Sequence, residues 1–294
     1  MDISWPGGKP PTFEDLDSWL TSLGIVRKND RLQLIFQTIK DWGSDAPVIR
    51  WNGRPIPRDQ VDRVDLLNAT IEVQELLSVC VAFRSTNSDV LRQKLTLALS
   101  GHAIPFTETV KNNLPRNTMF ELSLASDWAR LGIEVQLGDP DITARIGGVP
   151  FCVECKRPFR EDSIRANLRG AAEQLRTKLE NTEAQGAYGI IAISVSRIFN
   201  EGRASFVNIP EFKAHGAGPL LERFWDNHRG HIKAVAVHPR IVAVLLHLRM
   251  PLVTALNEAT GYVAQTLVPV GRRGPVFNFL EQKITSLLRM ADST

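Results

Sequence analysis

The chain has 294 residues, 43% of them hydrophobic and 23% charged, with a formal net charge of +3 and a pI near 8.8. This is an ordinary globular composition with ample apolar material for one large or two moderate domains. The small basic excess permits an acidic partner such as nucleic acid without arguing for one. The opening residues lack the basic-then-apolar layout of a secretory signal. The most apolar long run, Val235 to Leu256, is broken by His238, Arg240, His247 and Arg249, so it reads as buried strands or a core helix rather than a bilayer span. Three unevenly spaced cysteines make no disulfide framework and suit a reducing cytoplasm. A soluble cytoplasmic protein is expected.

Taken in chain order, Thr12 is placed to cap an amphipathic helix that runs through Leu23. A second helix is expected over Asp30–Trp42, where Leu32, Leu34, Ile35 and Ile39 recur at helical spacing. Residues 51–59 (WNGRPIPRD) form a turn-rich connector, and further helices are expected around Ile71–Phe83 and Val90–Leu99. Residues 1–112 therefore read as a mainly helical N-terminal domain without a catalytic cluster, suited to packing, sensing, oligomerisation or docking of a protein partner.

From residue 113 the pattern changes. A helix stops at Gly132, residues 133–137 read as a strand, and residues 141–146 and 149–156 as two strands joined by Gly147-Gly148. A long helix over about 162–183 and a buried strand over 187–196 follow, and the chain closes with a helix near Phe277–Met290. Residues 113–294 thus read as an α/β domain with a mixed sheet.

The glycine turn carries a geometric argument. Side chains alternate along strands, so Phe151, Val153 and Cys155 share an apolar face while Cys152, Glu154 and Lys156 share the other. A turn centred on Gly147-Gly148 pairs Ile146 with Val149 and Arg145 with Pro150, and the same register sets Asp141 opposite Glu154 and Asp139 opposite Lys156. Opposed carboxylates with Cβ atoms roughly 5 Å apart repel. Either they are solvated or paired with Lys156 and Arg145, or a divalent ion lies between them, since hard ions take carboxylate oxygens. Lys156 could orient a water or stabilise a phosphoryl group, or simply pair with Asp139.

Cys152 and Cys155 invite a metal or redox reading that strand geometry rejects. Three residues of strand cover about 10 Å, beyond the ~7 Å that a disulfide spans, and the two sulfurs point to opposite faces. A structural zinc needs a second ligand pair, which Cys80 and the histidines do not supply. Neither a nucleophile elbow nor a P-loop occurs.

Pro140-Asp141 and Glu154-Cys155-Lys156 resemble the signature of the PD-(D/E)XK nuclease superfamily, and the helix, strand, hairpin, helix, strand order is similar to its restriction-endonuclease-like αβββαβ core. The resemblance covers about residues 113–200. It implies Asp141 and Glu154 as metal ligands, with the main-chain carbonyl of Cys155 as a further one, and Lys156 as the catalytic lysine. Glu121 resembles the acidic residue that many members carry on the first core helix, although Thr118-x-x-Glu121 also reads as a capping box. Gln174 resembles the glutamine of a Gln-x-x-x-Tyr extension, but residue 178 is lysine where those members have tyrosine.

The implied function is hydrolysis of DNA phosphodiesters with Mg2+ or Mn2+, in restriction or antiphage defence, with RNA as an alternative substrate. Cutting two strands further implies a homodimer. Ile164, Leu168, Leu175 and Leu179 make the core stripe of the helix after Lys156, and Arg165, Arg169 and Arg176 border it. These three arginines, with Arg157, are the candidate nucleic-acid contacts. The competing class is a non-catalytic nucleic-acid-binding or scaffold module that keeps the fold.

Overall fold

The computed structural model describes residues 12–25, 32, 60–101, 108–181, 186–200, 218–235, 238–253 and 259–291. Helix α1, Phe13–Ser22, begins as its sequence requires: the Asp15 amide donates to the Thr12 hydroxyl at 3.2 Å and the Thr12 amide donates to the Asp15 carboxylate at 2.8 Å. This reciprocal pair satisfies two donors that a helix start leaves open. Helix α2, Gln60–Phe83, starts well before the expected Ile71. Helix α3, Asp89–Leu99, is capped by the Ser88 hydroxyl, which accepts the Leu91 amide at 3.2 Å. The helix expected over Asp30–Trp42 and the connector 51–59 lie outside the described residues, Leu32 apart.

Helix α4, Leu114–Arg130, has Pro115 in its first turn, where a missing N–H costs nothing, and Gly132 at φ +76° just past its end. The capping-box reading of Thr118 and Glu121 is thereby overturned. Thr118 lies inside the helix, its hydroxyl donating to the Leu114 carbonyl at 3.0 Å, so Glu121 has no cap to complete.

The remaining elements are β1 Glu134–Leu137, β2 Ile142–Ile146, β3 Val149–Lys156, α5 Ile164–Glu180, β4 Tyr188–Ser194, α6 Ser196–Asn200, α7 Gly218–Lys233, β5 Ile241–Val253, β6 Ala259–Pro269 and α8 Pro275–Ala291. One six-stranded sheet runs β1-β2-β3-β4-β5-β6, antiparallel among β1, β2 and β3, parallel from β3 through β5, and antiparallel again at β6. The described residues therefore form a mixed α/β protein with eight helices around a mixed sheet. Parallel neighbours need crossovers, and α5 supplies the one from β3 to β4.

The β2–β3 ladder has the register expected from the glycine turn, from Ile146 opposite Val149 to Ile142 opposite Val153. Gly147 and Gly148 stand at φ +55° and +84°, a conformation that other residues enter only at a cost. Alternation along β3 divides the core. Phe151, Val153 and Cys155 pack on the side of α1 to α4, with Leu16, Leu76, Leu91 and Leu122. Cys152 packs on the other side with Ile164, Leu168, Leu175 and Leu179 of α5 and Leu221 of α7. The helices before residue 100 thus share one hydrophobic cluster with α4 and the sheet.

Strand β4 is buried on both faces, as the central strand of a covered sheet must be. Within the apolar run between Val235 and Leu256, residues 241–253 form β5. Among the described residues no helix is long and apolar enough to cross a membrane.

Candidate active site

Asp141 stands one residue before β2, immediately beyond the last ladder pair, Ile142 with Val153. Its Oδ2 accepts the Cys155 amide at 2.8 Å, which ties the carboxylate to the end of β3. Glu154 is buried there, only 2% exposed, and its Oε2 lies 3.5 Å from Lys156 Nζ. Glu121 of α4 pairs with Lys94 of α3. The hairpin therefore brings Asp141, Glu154 and Lys156 together, and the helical layer brings Glu121 and Lys94 to them.

The charges act on one another across this cluster. Burial raises Glu154 from its ordinary value of 4.5 to about 7; the negative charge of Asp141 adds to the rise and Lys156 opposes it. Burial also raises Glu121, again reinforced by Asp141 and opposed by Lys94 and Lys156. The Cys155 thiol is pushed well up by burial and then by Asp141, Glu121 and Glu154, so it stays a thiol. Three carboxylates are thus held against two ammonium groups in a partly desolvated site, an arrangement that favours an additional cation.

Hard oxygen donors of this kind suit Mg2+ or Mn2+. Among the described residues no group of three or more His, Cys, Asp or Glu side chains is placed to hold a metal ion, and Glu121 is already engaged by Lys94. The residues that could hold such an ion are Asp141 and Glu154, the pair that the hairpin brings together. Mg2+ tolerates so few protein ligands because it keeps several of its waters.

Lys156 pairs with Glu154, whereas Asp139, opposite it in the extrapolated register, pairs with Lys178 of α5. The ladder ends at Ile142, and residues 138–141 turn away from the strand direction, which frees Asp139 to reach the helix. Gln174, Arg165 and Arg169 are exposed on α5. Arg176 holds Glu173 and Glu180 on its own helix, and Arg157 gives both guanidinium nitrogens to the buried Glu108. The α5 core stripe is as expected, with Ile164, Leu168, Leu175 and Leu179 all buried. Cys152 lies against α5, its thiol raised by burial and by the Glu154 charge.

Two features escaped the sequence. One is Lys94, whose only signal is that it borders the buried stripe of Leu91, Leu95 and Ala98 on α3. The other is a polar network around a cavity of about 90 Å3, lined among others by Glu72, Glu75, Arg116, Arg157, His247 and Arg249. There Arg249 bridges Glu75 and Asp127 at 3.1 Å each and donates to the Ser123 hydroxyl at 2.7 Å. Arg116 pairs with Glu72, and His247 is 1% exposed with its ring 5.1 Å from that of Phe120. Arg157 apart, which follows β3, these groups come from α2, α4 and β5, elements far apart in the chain, which no local pattern connects.

Comparison of the chain with protein-family models, with curated proteins and with solved structures yields no match.

Proposed function

We propose that the protein is a Mg2+- or Mn2+-dependent nuclease that hydrolyses DNA phosphodiester bonds, with a PD-(D/E)XK-type site on a restriction-endonuclease-like core. The observation that carries this reading is the meeting of Asp141, Glu154 and Lys156 at one end of the β2–β3 hairpin, with Glu154 buried and raised by the Asp141 charge. The order α4, β1, β2, β3, α5, β4, antiparallel within the first three strands and parallel from β3 to β4, supports the fold side of the reading.

In the reaction, a water oxygen bonds to phosphorus, the P–O bond to one sugar oxygen breaks, and a proton passes overall from the water to that leaving oxygen. A bound divalent ion supplies charge neutralisation at the phosphoryl oxygens and a water of lowered pKa. Asp141 and Glu154 would hold that ion, with Asp141 oriented by the Cys155 amide. Lys156 directs its ammonium to the attacking water or to a non-bridging oxygen, where it steadies developing negative charge. Arg165 and Arg169, exposed on α5, are the residues available to hold neighbouring backbone phosphates.

The second reading, a binding module without catalysis, draws on the absence of a three-ligand group among the described residues. One experiment separates the two. Linear, circular and single-stranded DNA, and an RNA, are incubated with the protein with and without Mg2+ or Mn2+, beside Asp141→Ala, Glu154→Ala and Lys156→Ala. Metal-dependent cleavage lost in all three variants upholds the nuclease; cleavage of RNA alone moves the substrate. Binding with no cleavage under any metal establishes the module, and variants that cut like the parent sink the site.

A further inference from the structure

We propose that the polar cavity between the carboxyl ends of the parallel strands and helices α2 and α4 is a binding site for a phosphate-sized oxyanion that carries a proton. The inference stands apart from the nuclease reading, since none of Asp141, Glu154 and Lys156 lines this cavity.

Strand direction puts the cavity where it is. β3, β4 and β5 run parallel, and open parallel sheets receive ligands beyond the carboxyl ends of their strands. Arg157 follows the last residue of β3, Ser194 ends β4, and His247 of β5 lies opposite Ser194. By alternation these residues and Arg249 continue the face on which Val153, Ile190 and Leu245 join the hydrophobic cluster of α1 to α4. The apolar layer thus ends in a polar one, closed by Glu72 and Glu75 of α2 and Arg116 of α4.

The hydrogen bonds missing from the wall define the occupant. His247 is buried, and among the described residues neither of its ring nitrogens has a hydrogen-bond partner. The Nε–H of Arg249, two residues along the same strand face, is also buried without one. The rest of that guanidinium is held by Glu75, Asp127 and Ser123. Buried polar atoms are nearly always satisfied, so three unpartnered atoms on one cavity wall call for an occupant. Burial keeps the imidazole neutral, with one nitrogen donating and the other accepting. Its complement accepts from Arg249 and from the ring N–H, and donates to the bare ring nitrogen. A hydrogen phosphate group has oxygens of both kinds.

Charge and size agree. The wall carries four guanidinium groups, those of Arg116, Arg157, Arg197 and Arg249, against the carboxylates of Glu72 and Glu75. Two further acids answer them: Glu108 takes Arg157 at 2.5 and 3.0 Å and Arg197 at 3.2 Å, and Asp127 takes Arg249 at 3.1 Å. Burial raises Glu75 and Asp127, and each proton they hold leaves a guanidinium charge for an anion. At about 90 Å3 the cavity suits a compact ion; pockets for drug-sized molecules begin at roughly 300 Å3.

The test is calorimetric titration of the full chain with sodium phosphate near pH 7 in about 0.15 M NaCl, which screens binding to exposed charges. One site with a Kd of about 1 mM or tighter is expected. Sulfate, which has no proton to give at that pH, should bind at least about tenfold more weakly. His247→Leu removes both ring nitrogens and should weaken phosphate by at least about tenfold. His247→Gln keeps a donor and an acceptor and should stay within about threefold of the parent. Ribose 5-phosphate is titrated beside the inorganic ion. If it binds as well or better, the site serves the phosphorylated end of a larger molecule; if only the inorganic ion binds, it serves free phosphate, and either result upholds the site.

If the His247 variants do not fold, a crystal of the parent soaked in arsenate, located by its anomalous scattering, decides the matter. A peak beside His247 and Arg249 upholds the assignment, and a cavity holding only water overturns it. The proposal also fails if no phosphate binds, if sulfate binds as tightly, or if His247→Leu binds like the parent, which would put the ion elsewhere on the protein.

Discussion

The amide of Cys155 donates to Oδ2 of Asp141 at 2.8 Å, so the carboxylate that precedes β2 is fastened to the backbone that ends β3. Asp141 thus has a structural job beside the chemical one proposed for it, and two substitutions separate them. Asp141→Asn keeps an oxygen for the amide and removes the charge. Its melting temperature should stay close to the parent's while Mn2+ binding and cleavage fall at least a hundredfold. Asp141→Ala also leaves the amide without its acceptor, adding a cost of about 1–3 kcal/mol in denaturant titration.

Glu154, raised to about 7 by burial and by Asp141, carries a proton in the metal-free protein over much of the range between 4.5 and 7. Binding a divalent ion requires the charged carboxylate, so uptake at pH 6 should release a proton, and less should be released at pH 8. Calorimetry in buffers of different ionisation enthalpy reads this release directly. It should vanish, along with the binding, in Glu154→Gln.

At Gly147 φ is +55°, and a Cβ added there would stand 2.8 Å from Phe279 Cζ of α8. Gly147→Ala therefore meets both backbone strain and a ring that must move. We expect it to destabilise the fold by roughly 1–3 kcal/mol in urea titration. Gly147→Ala combined with Phe279→Leu should recover the steric part and leave the backbone part.

Arg249 bridges two largely buried acids, Glu75 of α2 and Asp127 of α4, and both carboxyls are raised by burial despite it. Arg249→Met leaves them without that partner, which in buried pairs costs about 3–5 kcal/mol. The loss should show as a lower unfolding midpoint. Replacing Glu75 and Asp127 by Gln and Asn in the same chain should recover part of it.

His247 is wholly buried beside Phe120 and Arg249, and its pKa falls from 6.5 to about 3, by burial first and by the Arg249 charge second. Between those two values the unfolded chain binds a proton that the folded chain refuses. The stability associated with a neutral His247 is therefore fully present above about pH 6.5 and is lost as the pH falls toward 3, on the order of 1 kcal/mol per pH unit. In His247→Leu that part of the acid dependence should be missing when unfolding is followed between pH 6.5 and 4.

The order of elements from α4 to β4 and the register of the hairpin were legible in the sequence because both follow from local physics. A two-glycine turn and the period-two alternation of its flanking strands determine which residues lie opposite, and the cap at Thr12 and the stop at Gly132 are equally local. The α5 stripe was legible for the same reason. Glu121 was ambiguous because Thr-x-x-Glu occurs both at helix starts and inside helices; Pro115 one turn earlier decided for the interior.

What tertiary structure alone decided is which charges meet. Lys94 with Glu121, Asp139 with Lys178, Arg157 with Glu108 and Arg249 with Glu75 and Asp127 are pairs between elements well separated along the chain. An ion pair depends on where two long side chains end in space, and a sequence period reports only the face from which each one starts. The hairpin carboxylates and Lys156 could be read from a single turn; Lys94, Lys178 and Arg249 meet their acids only through the packing of distant elements.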